Sequence, residues 1–315
     1  MTNLAPSGIL ARTQRIILRQ GARHMKLSTA VADFITSIRL DKQPETTRGY
    51  QGDLDLFVAY AKTSGQDSLF AFTADLIQQH LLRQSARGLA MITLHRYQTS
   101  LRAFARWAVQ RRLLAINPME QVAMIRKPKR LPRPFKRAER ERLMALDLPL
   151  AQQVVRGLLY YTGLRVSPLA RIRIRDIELF PETGRGTIRT IGKQNKEHIV
   201  QIPRDLGRLL EAYLEGRAPR MFLFEAPGAP GRPWDRRAVE RLCRQWGERA
   251  QVPGCTPHRW RHTYATMLFE RGGNPAKIQR LLAHADISTT MLYLEVATDE
   301  LAATAQLLEG PEGQR

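Results

Sequence analysis

The sequence has little cysteine, a deficit of acidic residues and no long apolar run. Only Cys243 and Cys255 occur in 315 residues, which is too few for a disulfide scaffold and lacks the spacing of a metal site. No stretch approaches the roughly 20 apolar residues that cross a bilayer, and no signal peptide is recognisable at the N-terminus. We therefore expect a cytoplasmic protein that is not associated with a membrane.

The charge, by contrast, is strongly positive. Fifty basic residues face 29 acidic ones, and only nine of the 50 are lysine, so arginine carries the formal net charge of +21. Guanidinium groups stay charged and pair bidentately with phosphate, which favours a nucleic acid as partner. A GC-rich genome is an alternative source of part of the arginine excess. The length suits two domains, each with its own core.

The first half of the chain has helical periodicity from about residue 28 to residue 124. Apolar residues recur at helical spacing in segments 46–61 and 93–109; they are Tyr50, Leu54, Phe57 and Val58 in the first and Tyr97, Leu101, Phe104 and Ala105 in the second. This pattern predicts an all-helical bundle of four or five helices. Residues 1–25 precede it as a basic arm, with Arg12, Arg15, Arg19 and Arg23.

Two basic surfaces are candidates for DNA binding. The first is the polar face of segment 93–109, which carries Arg96, Arg102 and Arg106. The second is the proline-rich run 125–137, whose basic residues include Arg126, Lys127, Lys129, Arg130 and Arg133. Three prolines within this run prevent a continuous helix, so we expect an extended linker along a phosphate backbone. A solvated helix face and a solvated loop are the simpler alternatives.

The second half mixes helices with one predicted β-hairpin. Segments 187–190 and 198–202 alternate and are β-branched, and the basic, turn-rich segment 192–196 separates them. Helical patterns cover the rest; they span 138–146, 151–161, 205–214, 236–250, 258–271, 275–282, 288–296 and 298–308. A further helix is expected to begin at Ser167 as N-cap and Pro168 as first residue.

The stretch from His258 to Tyr293 contains the residue types that attack on a phosphodiester requires. The reaction needs a nucleophile, donors aimed at the phosphate oxygens, a base, and an acid for the leaving oxygen. Candidates for these roles are Tyr293, His258, Arg261 and His284, with Arg165 and Lys193 from earlier in the chain. A tyrosine beside cationic donors can perform this chemistry without a metal.

Five motifs resemble, in order and spacing, those of the tyrosine recombinase (phage integrase) family, and most closely the Xer type. They are Thr162-Gly163-Leu164-Arg165, Gly192-Lys193-Gln194-Asn195-Lys196, His258-Arg259-Trp260-Arg261-His262, Leu281-Leu282-Ala283-His284 and Tyr293. The resemblance implies roles for six residues: Tyr293 as nucleophile, Arg165 and Arg261 on the non-bridging oxygens, Lys193 as acid, His258 as base and His284 as donor to the phosphate.

The resemblance also implies a mainly α fold that clamps DNA. It comprises a helical, SAM-like core-binding domain (26–124), the linker (125–137), a catalytic domain that is mostly helical with a small β-hairpin or sheet (138–296), and a C-terminal segment exchanged between protomers (297–315). Its substrates would be double-stranded DNA recombination sites, held by a homotetramer with possible accessory DNA-bending or directionality proteins. No cofactor and no metal are implied, and the source would be a bacterium, a phage or a mobile element.

Two positions depart from the family pattern. Pro168 stands where an acidic residue is usual, which puts fine positioning of the site in doubt, and His198 stands where arginine is common. Other readings of the residues are a type IB topoisomerase, a non-catalytic DNA-binding factor, a zinc pair of His258 and His262, and Tyr161 or Tyr264 as nucleophile.

Overall fold

The structure is a computed structural model and describes residues 25–127, 132–191, 197–216 and 221–282. The chain divides into two compact units, Met1–Lys129 and Arg130–Arg315. No helix among the described residues is long and apolar enough to cross a membrane. The predicted helices 288–296 and 298–308 and the basic arm lie outside the described residues.

The described part of the first unit is helical, as predicted. Its α-helices are α1 (Leu27–Ile38), α2 (Pro44–Thr63), α3 (Ala74–Ala86) and α4 (Met91–Gln110). Short 3₁₀ turns follow α2 and α4, at Leu69–Ala71 and Pro118–Glu120. Asn117 caps the second turn by accepting from the Met119 amide at 3.1 Å.

The core of this unit forms where the predicted apolar faces of α2 and α4 meet. Leu54, Phe57 and Phe104 are fully buried. Aromatic rings contact one another edge-on across it, with Phe72 lying 5.4 Å from Phe57 and 5.0 Å from Phe104 between ring centroids. The helical period therefore predicted the buried face correctly, since residues three and four apart share one side of a helix.

The second unit is also mainly helical. Its helices are α5 (Arg137–Met144), α6 (Leu150–Thr162), α7 (Val166–Ala170), α8 (Arg204–Leu214), α9 (Arg236–Arg249), α10 (Pro257–Glu270) and α11 (Pro275–Leu282), with a 3₁₀ turn at Ile174–Asp176. α6 packs against both α8 and α10. Trp246 of α9 and Trp260 of α10 are among the largest fully buried side chains of the core that these helices enclose.

The predicted hairpin is present and belongs to a larger sheet. β1 (Ile177–Phe180), β2 (Arg185–Ile191) and β3 (Glu197–Ile202) form an antiparallel sheet in the order β1-β2-β3. The β2–β3 register runs from Gly186↔Ile202 to Ile191↔Glu197. β4 (Glu225–Ala226) and β5 (Ala229–Pro233) form a second antiparallel pair. The sequence interpretation missed β1, β4 and β5, which are short and owe their pairing to tertiary neighbours.

The C-terminal end of the basic proline-rich run is part of the core of the second unit. Phe135 is 1% exposed and its ring meets Trp260 edge-on, with centroids 4.9 Å apart. Its backbone amide donates to the Thr263 hydroxyl at 2.8 Å. Phe135, the one aromatic residue of the run, therefore anchors this end of the run to α10.

Candidate active site

Helix α10 positions the central group of predicted site residues. Thr256 caps the helix by accepting from the Arg259 amide at 3.2 Å, and Pro257 occupies the first turn, where its missing N–H leaves no bond unmade. His258 then lies in the first turn and Arg261 lies one turn later. Residues three apart share a helix face, so both project from the same side of α10.

Arg261 is buried and anchored at both ends of its guanidinium. One terminal nitrogen donates to the Gly163 carbonyl at 2.7 Å, and the other donates to the Leu282 carbonyl. The side chain thereby connects α10 to the end of α6 and to the end of α11, and the residue is 5% exposed. A planar fork held by two carbonyls keeps one orientation, which suits a donor that must be in place before a charged group arrives.

Gly163 makes this arrangement possible. It ends α6 in the left-handed region, with φ of 57° and ψ of 22°, and glycine adopts that region without strain. The ring of Tyr264 lies directly against it, so that a Cβ at this position would come within 2.9 Å of Tyr264 Cγ. The turn can therefore approach α10 closely enough for the carbonyl of Gly163 to meet Arg261.

Arg165 follows this turn and is the N-cap residue of α7, with extended backbone at φ −65° and ψ 148°. The expectation that Ser167 caps this helix with Pro168 in its first position is wrong, because α7 begins at Val166 and contains both residues. The helix starts two residues earlier, since the turn after Gly163 already directs the chain into it. Arg165 is partly buried.

The structure brings His258, Arg165 and Arg261 together. The pKa of His258 lies below its usual 6.5. The main cause is partial burial of the imidazole, and the positive charges of Arg261 and Arg165 lower the pKa further. Its ring also packs against that of His262, with centroids 4.1 Å apart. The neutral imidazole is therefore the favoured form at neutral pH, and this is the form that accepts a proton.

Three of the six predicted catalytic residues, Lys193, His284 and Tyr293, lie outside the described residues. Their described neighbours are informative. Ile191 and Glu197 pair across β2 and β3 and flank the segment that contains Lys193. Leu282, whose carbonyl accepts from Arg261, is two positions before His284 in the sequence.

The rival tyrosines are poor nucleophiles. The hydroxyl of Tyr161 donates to Asp205 at 3.2 Å, and burial together with this carboxylate raises the pKa of Tyr161 to about 12. Burial also raises the pKa of Tyr264, although the charge of Arg261 opposes this effect. Both hydroxyls are thus harder to deprotonate than a free tyrosine.

The zinc interpretation finds no third ligand in the described part of the chain. There, no group of three or more histidine, cysteine, aspartate or glutamate side chains is placed to hold a metal ion. His258 and His262 instead make a ring contact beside two arginines.

Arg259 is a structural residue that the sequence reasoning missed. Its guanidinium lies 4.3 Å from the centroid of the Phe135 ring and donates to Glu139 at 2.7 Å and to the Pro253 carbonyl at 2.7 Å. Burial would raise the pKa of Glu139, but hydrogen bonds from the Lys136 amide and Arg259 and the charge of Arg259 outweigh it, and the pKa falls. Arg259 therefore ties α10 both to α5, through Glu139, and to the segment before α5, through Phe135. Only the tertiary contact reveals this role.

The predicted DNA-binding residues of the first unit have three different environments. Arg96 pairs with Asp53 at 2.9 Å. Arg102 is half-buried and donates to the Val122 carbonyl at 3.1 Å. Arg106 is exposed.

The residues of the basic run fall on both sides of the described boundary. Arg126, Lys127 and Arg133 are exposed, whereas Lys129 and Arg130 lie outside the described residues.

The chain matches two family models over most of its length. Residues 135–300 match the phage integrase family, and residues 31–127 match the phage integrase N-terminal SAM-like domain. The tyrosine recombinase XerC of Mycobacterium bovis (strain BCG / Pasteur 1173P2) is 31% identical over 286 residues, covering 86% of this chain and 94% of the relative. XerC of Mycobacterium sp. (strain KMS) is also 31% identical, over 288 residues, with the same coverage.

Solved structures share the fold. The XerH site-specific recombinase bound to palindromic difH substrate, in a post-cleavage complex, superposes with a TM-score of 0.71 at 18% identity, over 84% of this chain and 80% of that one. The Tn1549 transposon integrase in complex with a circular intermediate DNA gives 0.66 at 19% identity, over 89% and 99%. The predicted mainly helical fold with a SAM-like first domain is confirmed. The chain belongs to the phage integrase family and is a tyrosine-type site-specific DNA recombinase.

Proposed function

We propose that this recombinase cleaves DNA with Tyr293 and rejoins it through a 3′-phosphotyrosyl intermediate. The observation that carries the proposal is the meeting of His258, Arg165 and Arg261, where burial and the positive charges of the two arginines lower the pKa of the imidazole and so favour its neutral form. Fixed cations beside a neutral base are what a tyrosine needs in order to attack an anionic phosphodiester.

The proposed reaction proceeds by two transesterifications. The Tyr293 oxygen forms a bond to the scissile phosphorus while the bond from phosphorus to the 5′ oxygen breaks. His258 takes the tyrosine proton, and Lys193 gives a proton to the departing 5′ oxygen. A 5′-hydroxyl from another strand then attacks the phosphotyrosine and releases Tyr293. The ester energy is kept throughout, so the exchange needs no nucleotide hydrolysis.

The arginines and His284 act on the charge that grows on the non-bridging oxygens. Arg165 and Arg261 donate to these oxygens, and His284 supplies a further hydrogen bond. A fixed donor in such a site contributes about 3–4 kcal/mol to transition-state stabilisation. The two carbonyls that hold Arg261 support this role, because they orient its fork before the substrate binds.

The covalent intermediate can be trapped on a nicked duplex that carries the recognition site, from which the cleaved end diffuses away. We expect Tyr293→Phe to bind this DNA and to form no covalent adduct on a denaturing gel. Tyr161→Phe is the matched control and keeps the adduct. An adduct of undiminished yield from Tyr293→Phe would contradict the proposal.

We further propose that four protomers assemble around two duplexes through residues 297–315. The sequence of this segment combines Leu301 and Leu308 with Asp299 and Glu300. In the second unit, a pocket of about 390 Å³ at β5 and α9 is lined by Trp234, Leu242, Arg232 and Arg241 among others. The lining also includes Asp235, but its apolar residues and two arginines suit that segment.

Truncation after Val296 tests the assembly. We expect the shortened protein to bind a single site and to form the adduct, but to lose recombination between two sites. Full recombination by the truncated protein would show that the tail is dispensable. We place the reaction in the bacterial cytoplasm; whether accessory DNA-bending or directionality proteins take part is tested by recombination with purified recombinase and DNA alone.

A further inference from the structure

A buried carboxylate in the first unit holds an exposed arginine. The side chain of Asp53, on α2, is 3% exposed, whereas that of Arg96, on α4, is 55% exposed. One carboxylate oxygen accepts from Arg96 at 2.9 Å. The other accepts from the buried Ser100 hydroxyl at 2.7 Å. The guanidinium also lies 5.0 Å from the centroid of the Tyr97 ring.

Burial of the Asp53 carboxylate carries an energetic cost that its two partners reduce. Burial raises the pKa of Asp53, and the bonds from Ser100 and Arg96 only partly offset that effect. In the fold, the charged form of Asp53 is therefore disfavoured relative to its protonated form. An asparagine would keep the hydrogen bond to Ser100 without burying a charge. The carboxylate, unlike an amide, gives Arg96 a charged partner at 2.9 Å.

The pair also changes what Arg96 can contribute to DNA binding. Arg96 and Asp53 together carry no net charge, so the pair adds little to the release of counterions from DNA phosphates. The pair instead fixes the orientation of the Arg96 donors. A guanidinium held by a carboxylate on one side presents its other N–H groups in a fixed geometry. Directional donors distinguish bases, and guanine presents two acceptors side by side in the major groove.

The other two arginines of α4 differ in just this respect. Arg106 is exposed, and no hydrogen bond or ion pair of its side chain is present within the described part of the chain, so it keeps its full charge for a phosphate. Arg102 is half-buried and bonded to the Val122 carbonyl, which makes it part of the fold.

On this basis, we infer that Arg96, positioned by Asp53, reads a guanine edge in the recognition site, while Arg106 contacts phosphate. The inference rests on the proposed function, since it requires a sequence-specific DNA site. It names Asp53 as a positioning residue for site choice and gives different roles to two arginines that share one helix.

The test begins with selection of the preferred site from a random DNA library by the full-length wild-type protein. The ratio of the dissociation constants for a scrambled duplex and the selected duplex then measures discrimination. We expect Arg96→Lys and Asp53→Asn each to lower this ratio at least about fivefold, because a bidentate contact to a base is lost. Arg106→Lys is the matched control and keeps the ratio, since lysine can still neutralise a phosphate.

Salt dependence separates the two arginines independently. We expect Arg106→Ala to reduce the slope of log affinity against log salt by about one. The double variant Asp53→Asn/Arg96→Ala removes the neutral pair as a unit and should leave this slope unchanged. Urea unfolding of Asp53→Asn shows whether its fold is intact. Arg96→Lys changes an exposed side chain, so it gives a second measurement of the discrimination ratio.

A discrimination ratio for Asp53→Asn and Arg96→Lys within twofold of the wild type would overturn the inference. If both dissociation constants weakened equally, the ratio would be kept in this way, and Asp53 would be assigned to folding alone. Failure of the wild-type protein to select any sequence would count against the proposed function instead.

Discussion

The guanidinium of Arg261 donates a 2.7 Å hydrogen bond to the backbone carbonyl of Gly163, which lies 98 positions earlier in the chain. This contact joins the turn that precedes Arg165 to the helix that carries His258. It depends on a left-handed backbone and on the absence of a side chain at Gly163. The contact between Arg261 and the turn before Arg165 therefore depends on one glycine.

Gly163→Ala is expected to destabilise the second unit by about 2–4 kcal/mol. About 1–2 kcal/mol comes from the left-handed conformation, and the remainder comes from the collision of the new Cβ with the Tyr264 ring. Urea unfolding measures the stability. We expect covalent-adduct formation to slow as well, because Arg261 loses its anchor.

Gly254→Ala is the matched control for this variant. Gly254 also has positive φ, at 70°, but a Cβ there would meet nothing within 4 Å. It should lose only the 1–2 kcal/mol due to the backbone. Equal losses at Gly163 and Gly254 would mean that the contact with Tyr264 does not restrict the turn.

Arg259→Lys is expected to cost about 2 kcal/mol of stability. Lysine keeps the charge, but its single nitrogen cannot occupy the positions of the two nitrogens that donate to Glu139 and the Pro253 carbonyl. It also lacks the planar group that lies on Phe135. Arg137→Lys provides the comparison, because its pair with Glu141 is exposed and should contribute less than 0.5 kcal/mol. Urea unfolding that shifts equally for both variants would rule out Arg259 as the anchor.

The first unit should lose stability in acid because of His80. The ring is buried against Phe57, with centroids 5.3 Å apart and the ring planes at 89°. Burial, with a smaller effect of Arg83, lowers the pKa of His80 to about 4. The unfolded chain takes up this proton near pH 6.5, so the folded state loses up to about 3 kcal/mol between pH 7 and pH 4.

His80→Phe tests this assignment by removing the titrating group while keeping a ring. The difference in unfolding free energy between wild type and variant should shift in favour of the variant as the pH falls from 7 to 4. Parallel stability curves over that interval would show that another group dominates acid unfolding of this unit.

The imidazole of His258 should titrate below pH 6.5, and the proposed role as base then predicts cleavage that persists to mildly acidic pH. NMR titration of ¹³C-labelled histidine gives the midpoint directly. Arg165→Ala should raise that midpoint, since one of the positive charges that disfavour the imidazolium is removed. A wild-type midpoint above 6.5 would be incompatible with the arrangement around Arg165 and Arg261.

The sequence by itself determined most of the described helices, the pairing of β2 with β3, and the family. Helical periodicity is a local property, so α2 and α4 and their buried residues Phe57 and Phe104 followed from spacing alone. The hairpin of β2 and β3 followed likewise from alternation around a basic turn. The six candidate catalytic residues came from motifs, and their roles stay predictions.

Only the tertiary structure decided what individual side chains do. β1 pairs because β2 is already in place, which no local pattern encodes. Three arginines show this. Arg261 is anchored by two carbonyls, Arg259 packs on Phe135, and Arg96 is held by Asp53. An arginine has many possible partners, and its role is set by the group that the fold brings within hydrogen-bonding distance. Those partners come from residues far apart in the chain.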